Sequence, residues 1–260
     1  MPPLIRNPFS STDAEAASRA AASARTRAVS SAHPTAPARF ITLEGIDGCG
    51  KSTQAELLTA ALRLAGHHVL RLREPGGVRI SEKIRALLLD PANAEMGDVC
   101  ELLLYEAARA QLVHEVIAPA LAAGTTVVCD RFYDSTTAYQ GFADGLDRAT
   151  VAQANALAVD GHHPDLTLVF DIDPELALPR RADRAEGEDR LEAKGMEFQR
   201  KVAEGFRAIA AEEPARVKLV DAAEDVAHVF LRTVAEVRAL GLDLPEPVAR
   251  RAFMEMTSRG

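Results

Sequence analysis

Cysteine is scarce in this chain: there are three among 260 residues, Cys49, Cys100 and Cys129. None stands in a Cys-x-x-Cys pair or at Cys/His spacing, which excludes the usual zinc sites and any disulfide framework and leaves reduced thiols of a cytoplasmic protein as the expectation. Long apolar runs are also missing. No stretch reaches the ~18 residues that span a bilayer, and the N-terminus lacks the charged-then-apolar order of a secretory signal. A basic surplus is absent as well: 30 Lys and Arg against 38 Asp and Glu give a formal net charge of -8. That balance argues against a duplex nucleic-acid partner.

Apolar residues are not in short supply. At 47% of the chain they suffice for a sizeable core. The first 38 residues are an exception, rich in Ala, Ser, Arg and Pro and almost without apolar periodicity. Such a segment cannot bury enough surface to offset the entropy of ordering, so 1–38 reads as a flexible extension. An organellar transit peptide is the alternative, and Asp13 and Glu15 count against it.

From residue 39 the pattern alternates. Short apolar runs at 39–44, 68–73, 125–130, 166–172 and 217–222 predict strands, and helix-period stretches at 51–65, 80–89, 98–123, 147–159, 174–185, 193–211 and 224–240 separate them. Strands that alternate with helices imply a mostly parallel sheet covered on both faces. Ligands of such sheets bind beyond the carboxyl ends of the strands. The domain is therefore set at 39–241, and 242–260 is set apart as a C-terminal tail.

The segment after the first strand carries Gly45-x-x-x-x-Gly50-Lys51-Ser52, a full match to the phosphate-binding loop in its required strand-then-helix context. Its glycines allow backbone N–H groups to curl around phosphate oxygens, and the helix N-terminus adds partial positive charge. Lys51 would reach the β- and γ-phosphates and Ser52 would ligate Mg²⁺. Gly45, Ile46, Asp47, Gly48, Cys49, Gly50, Lys51, Ser52 and Thr53 are thus the expected ATP-binding residues. An Asn-Lys-x-Asp tetrapeptide, with which a guanine-specific switch holds its base, does not occur. A small phosphotransferase remains, and its acceptor must be sought in the other loops.

The third strand ends in Asp130-Arg131, a carboxylate placed for the magnesium shell beside a fork for a phosphate. The second runs into a turn at Pro75-Gly76-Gly77 that can approach a ligand closely. Tyr105 and Arg109 lie four apart on one helix face, a ring beside a guanidinium, which suits a base stacked above a phosphate-bearing sugar.

Several separated motifs in order, GIDGCGKST, REPGG with SEKIRALLLD, ELLLYEAARAQL, DRFYDSTTAYQG, PDLTLVFDIDPELAL and RRADRAEGEDRLE, resemble bacterial thymidylate kinase, a family that moves the γ-phosphoryl of ATP onto dTMP. The likeness covers roughly 39–240. It implies a three-layer α/β P-loop kinase fold, with a mostly parallel five-stranded sheet flanked by helices, and a homodimer in the cytoplasm. It also implies roles. Asp47 would accept from the sugar 3′-hydroxyl, Tyr105 would stack on thymine, and Arg109 with Gln140 would read the base edge, with Thr136 hydrogen-bonding the base. Pro75 would line the dTMP site, Arg85 and Arg131 would hold the acceptor phosphate, and Tyr139 would lie near C2′. Asp130 and Ser52 would belong to the Mg²⁺ network.

Residues 180–192 occupy the place of a closing lid, where phosphoryl transfer needs positive charge and exclusion of water. Arg184 and Arg190 are the candidates there, ranked above Arg180. Pro179 interrupts the helix leading in. Gly48 stands where some members of the family place an arginine, so its absence here assigns the catalytic charge to the lid. Two alternatives stand beside this reading: another small P-loop kinase, against which Arg85 and Arg131 count because a nucleoside brings no phosphate, and a nucleotide-binding regulatory protein, which needs no lid arginines.

Overall fold

The computed structural model describes residues 38–182, 190–191 and 194–258. The expected extension at 1–38 lies, but for Ala38, outside them, as does Arg184. Five parallel strands form one sheet in the order β2-β3-β1-β4-β5: β1 Phe40–Glu44, β2 Val69–Arg73, β3 Thr126–Asp130, β4 Leu166–Asp171 and β5 Val217–Asp221. Each falls within an apolar run anticipated from the sequence. β1 is central, pairing Leu43 with Asp130 on one side and with Leu168 on the other. The chain leaves β1 first towards β2 and β3 and later towards β4 and β5, so a crevice opens beyond the carboxyl end of β1, where the sheet order reverses.

Side-chain alternation divides the core between the two faces. Phe40, Val127 and Cys129 point to one side, where they meet Leu112, Val116 and Phe132. Ile41, Leu43 and Val128 point to the other, against Leu57, Leu58, Phe206 and Phe230. The helices that supply these faces are α1 Lys51–Leu64, α2 Arg79–Leu89 and α3 Asp98–Leu112, which runs through a π-turn at Val113–Ile117 into α4 Ala118–Ala122. After β3 come α5 Tyr133–Thr136, a π-segment Thr137–Ala143 and α6 Arg148–Val159. α7 Pro174–Ala182 follows β4, α8 Gly195–Glu212 precedes β5, and α9 Val226–Ala239 follows it.

The helical run at 133–143 lies outside the helix-period stretches of the sequence. Its residues are short on helix-period apolar spacing, and π-segments, which cluster at functional sites, have no simple sequence signature.

The segment set apart as a tail belongs to the core. Leu242 and Leu244 are buried at 3% and 1% exposure, and α10, Glu246–Thr257, packs on α1 and α9 with Phe253 stacked on Phe230 at 6.1 Å. Two fully buried leucines contribute about 3–6 kcal/mol. Truncation after Gly241 should lower stability by that order in urea denaturation, whereas an unchanged midpoint would make the docking incidental.

Candidate active site

The phosphate-binding loop follows β1 directly, and its path depends on left-handed glycines. Gly50, at φ 92°, closes the loop onto α1, and Gly48 has φ 85°. A Cβ on Gly48 would also lie 2.4 Å from the carbonyl oxygen of Ala177 in α7, closer than any carbon can stand. Gly48→Ala therefore combines backbone strain with a steric clash and should cost about 1–3 kcal/mol. A fall in Tm of roughly 5 °C is the expected reading; a melt matching the parent protein would mean that α7 yields freely.

Lys51, 4% exposed, turns its Nζ back to Ile46 O and Asp47 Oδ1, both at 3.3 Å. Asp47 Oδ1 also accepts from Arg131 Nη2 at 2.7 Å. One carboxylate thus joins the lysine of the loop to the arginine at the end of β3. Arg131 donates further to Ser135 Oγ at 2.9 Å and to the Tyr139 hydroxyl at 3.1 Å. Burial disfavours its charge, but Tyr139, Asp47, Glu44 and Asp130 hold the guanidinium well above its usual range. It remains charged throughout. Burial likewise pushes the Tyr139 phenol well up, so it stays a neutral hydroxyl.

Arg131 has φ 70°, left-handed for a residue with a side chain, and such positions concentrate at functional sites. Glu44 holds this turn in place. It is fully buried and accepts from Phe132 N at 2.7 Å, from Ser135 N at 3.2 Å and from Ser135 Oγ at 2.6 Å. Burial, helped by Asp134, pushes its pKa up to about 8 against the pull of Arg131 and these donors. Sequence reasoning missed Glu44. The available signal was a carboxylate closing an otherwise apolar central strand.

Ser52 Oγ donates to Asp130 Oδ2 at 2.5 Å at the mouth of the loop. One hydroxyl and one carboxylate are what Mg²⁺ asks of a protein when phosphates and water complete its shell. The donor set therefore fits that ion.

At the turn after β2, Arg85 Nη1 donates to Pro75 O at 3.0 Å, and Arg73 donates to the same carbonyl and to both oxygens of Glu82. Tyr105 is half-buried. Arg109 is 2% exposed and heavily engaged: its Nε goes to Glu74, its Nη1 to Glu106 and Asn155, and its Nη2 to Thr136 Oγ1 at 2.9 Å. Four of its five N–H groups are thereby used, so any base contact rests on one remaining hydrogen. Gln140 Nε2 is bonded to Glu101 Oε1 at 2.6 Å.

Of the lid arginines named from the sequence, Arg180 and Arg190 lie among the described residues. Arg190 is turned inward, 8% exposed, with its Nε on Leu88 O at 3.0 Å and its Nη2 on Glu101. Both ends of its fork are engaged away from the phosphate loop, because a buried carboxylate on α3 outcompetes solvent for it. A charge run read along the chain does not disclose such a partner. Arg180 donates to Ala222 O and Ala223 O, and Pro179 lies inside α7.

A family model described as thymidylate kinase matches residues 43–231. The chain is 49% identical over 195 residues to a thymidylate kinase of Trichlorobacter lovleyi, covering 73% of this chain and 92% of that one. To a thymidylate kinase of Solidesulfovibrio magneticus it is 50% identical over 190 residues, covering 71% and 91%. Among solved structures, thymidylate kinase from Ehrlichia chaffeensis superposes with a TM-score of 0.64 at 34% identity, covering 78% of this chain and 99% of that one. With a five-stranded parallel sheet, a complete phosphate loop and relatives matched over nearly their whole length, the chain belongs to the thymidylate kinase family.

Proposed function

We propose that the chain transfers the γ-phosphoryl group of ATP to dTMP, forming dTDP and ADP. The observation that carries this reading is Asp47 Oδ1, shared by Lys51 of the donor loop and Arg131 of the acceptor side. Donor and acceptor phosphates meet across that carboxylate. Lys51 neutralises charge on the β- and γ-oxygens of ATP while Arg131, with Arg85, orients the dTMP phosphate for in-line attack on the γ-phosphorus. The acceptor oxygen is already anionic near neutral pH, so no strong base is needed, and positioning with charge neutralisation supplies the catalysis. Ser52 and Asp130 would hold Mg²⁺, which when bound would offset phosphate charge. Tyr105 stacks on the base, and Asp47 accepts from the sugar hydroxyl once the lysine turns to phosphate. Of the lid arginines, Arg184 is left to neutralise the γ-phosphate, since Arg190 is engaged with Glu101.

Val99 and Leu103 on α3 and Leu157 on the adjoining α6 are strongly exposed, which supports pairing of two copies through this face; a monomer in sedimentation at micromolar concentration would refute the pairing. Three free cysteines suit a reducing cytoplasm, and no helix among the described residues is long and apolar enough to cross a membrane. ADP release from MgATP measured across dTMP, dUMP, dCMP, dGMP, UMP and thymidine tests the substrate. Stimulation should be greatest with dTMP, and equal or greater stimulation by another acceptor would overturn the assignment.

A further inference from the structure

We propose that Glu101 is a specificity-positioning residue: it fixes the amide of Gln140 so that a hydrogen-bond acceptor faces the base, and ties that setting to the segment bearing Arg190 and Lys194. The inference rests on the reading of the cleft as a dTMP site.

Glu101 lies in the first turn of α3 and is fully buried. Its carboxylate faces the Arg190 guanidinium, Lys194 Nζ at 3.7 Å and Gln140 Nε2 at 2.6 Å. Both its oxygens lie against donors, Oε2 at the Arg190 guanidinium and Oε1 beside Lys194, so the carboxylate acts as an acceptor here. The Gln140 atom that meets it must then be the amide nitrogen, which settles the side-chain orientation by chemistry. Gln140 Oε1, with no hydrogen bond among the described residues, is left as the acceptor for a ligand.

One turn earlier, Thr136 takes Nη2 of Arg109, whose remaining N–H is a donor. An acceptor from Gln140 beside a donor from Arg109 matches a 2,4-dioxopyrimidine, which presents N3–H next to O4. A 4-amino-2-oxopyrimidine presents the reverse pattern at both atoms. Buried acceptors facing acceptors are the costly mismatch, and polar mismatch is the strongest discriminator a site can hold. Were the amide free to turn over, one of the two mismatches would vanish. Glu101 prevents that rotation, while Lys194, also bonded to Asp144 at 2.7 Å, and Arg190 tie the chain leading into α8 to the same carboxylate.

Glu101→Gln tests this, because an amide at position 101 can meet either end of Gln140. With MgATP saturating, the ratio of kcat/KM for dTMP over dCMP should fall at least about tenfold, through a higher KM for dTMP and a lower one for dCMP, with kcat for dTMP little changed. The double swap Glu101→Gln with Gln140→Glu keeps the net charge and again leaves an acceptor towards the base, so it should restore the ratio. An unmoved ratio in the single variant, or a swap that fails to restore it, overturns the role of Glu101. Should the single variant fail to fold, the swap alone decides by whether it keeps the parent ratio. If the unmodified protein itself shows no preference for dTMP, the substrate reading fails instead, and the two failures are distinguishable.

Discussion

Replacement of Lys51 by alanine lowers kcat about 10²–10³-fold and leaves the fold standing. The ammonium is the one cation contributed by the loop itself, and preorganised charge aimed at developing negative charge is worth that much in a site shielded from water. Little stability goes with it. Its two contacts, to Ile46 O and Asp47, are both 3.3 Å long, and Asp47 retains Arg131 at 2.7 Å. Steady-state turnover at saturating MgATP and dTMP, with a thermal melt alongside, separates the two effects. Activity within tenfold of the parent protein would remove Lys51 from the chemistry, and a large fall in Tm would make its role architectural.

Arg131→Ala has the larger combined effect. Removing the guanidinium strips a partner from each of Asp47, Ser135 and Tyr139, and leaves Asp47 only its longer contact to Lys51 at 3.3 Å, a loss that costs about 1–3 kcal/mol. The same change takes the fork from the acceptor phosphate, so kcat/KM for dTMP should fall at least about 10³-fold. Arg131→Lys divides these contributions. It keeps a charge for Asp47 and should recover most of the lost stability, yet it cannot hold two oxygens and two hydroxyls in one plane. Denaturation curves and kcat/KM for both variants decide the matter: if the lysine variant recovers full activity, the fork is not used.

Much of the fold was legible in the chain because alternating periods leave strong marks. All five strands lie inside apolar runs, and the helices between them, the run at 133–143 excepted, follow their anticipated bounds closely. The phosphate loop was equally plain, since its glycines and Lys51 serve backbone geometry that few other residues allow. Less of the acceptor side could be read. Arg109 is bound into a buried cluster with Glu74, Glu106 and Asn155, and Arg190 into another with Glu101. Which acid meets which base across many residues is a tertiary fact that composition does not carry. α10 was overlooked for a different reason. Its Val248, Ala249, Ala252, Phe253 and Met256 do recur at helical spacing, but flanking charges and a preceding proline made the segment resemble an appendage.

The carbonyl of Ala177 pressed against Gly48 bears on how such an enzyme can change by descent. On the proposed reading, in which a lid arginine supplies the catalytic cation, relocating that charge to the loop takes more than an arginine codon at position 48, because the first step collides with α7 and removes stability before it can add rate. A lineage would have to withdraw α7 first, at a time when that shift brings no catalytic gain. The two arrangements are therefore separated by a valley of less fit intermediates, and a chain that has settled on one side of it tends to stay there.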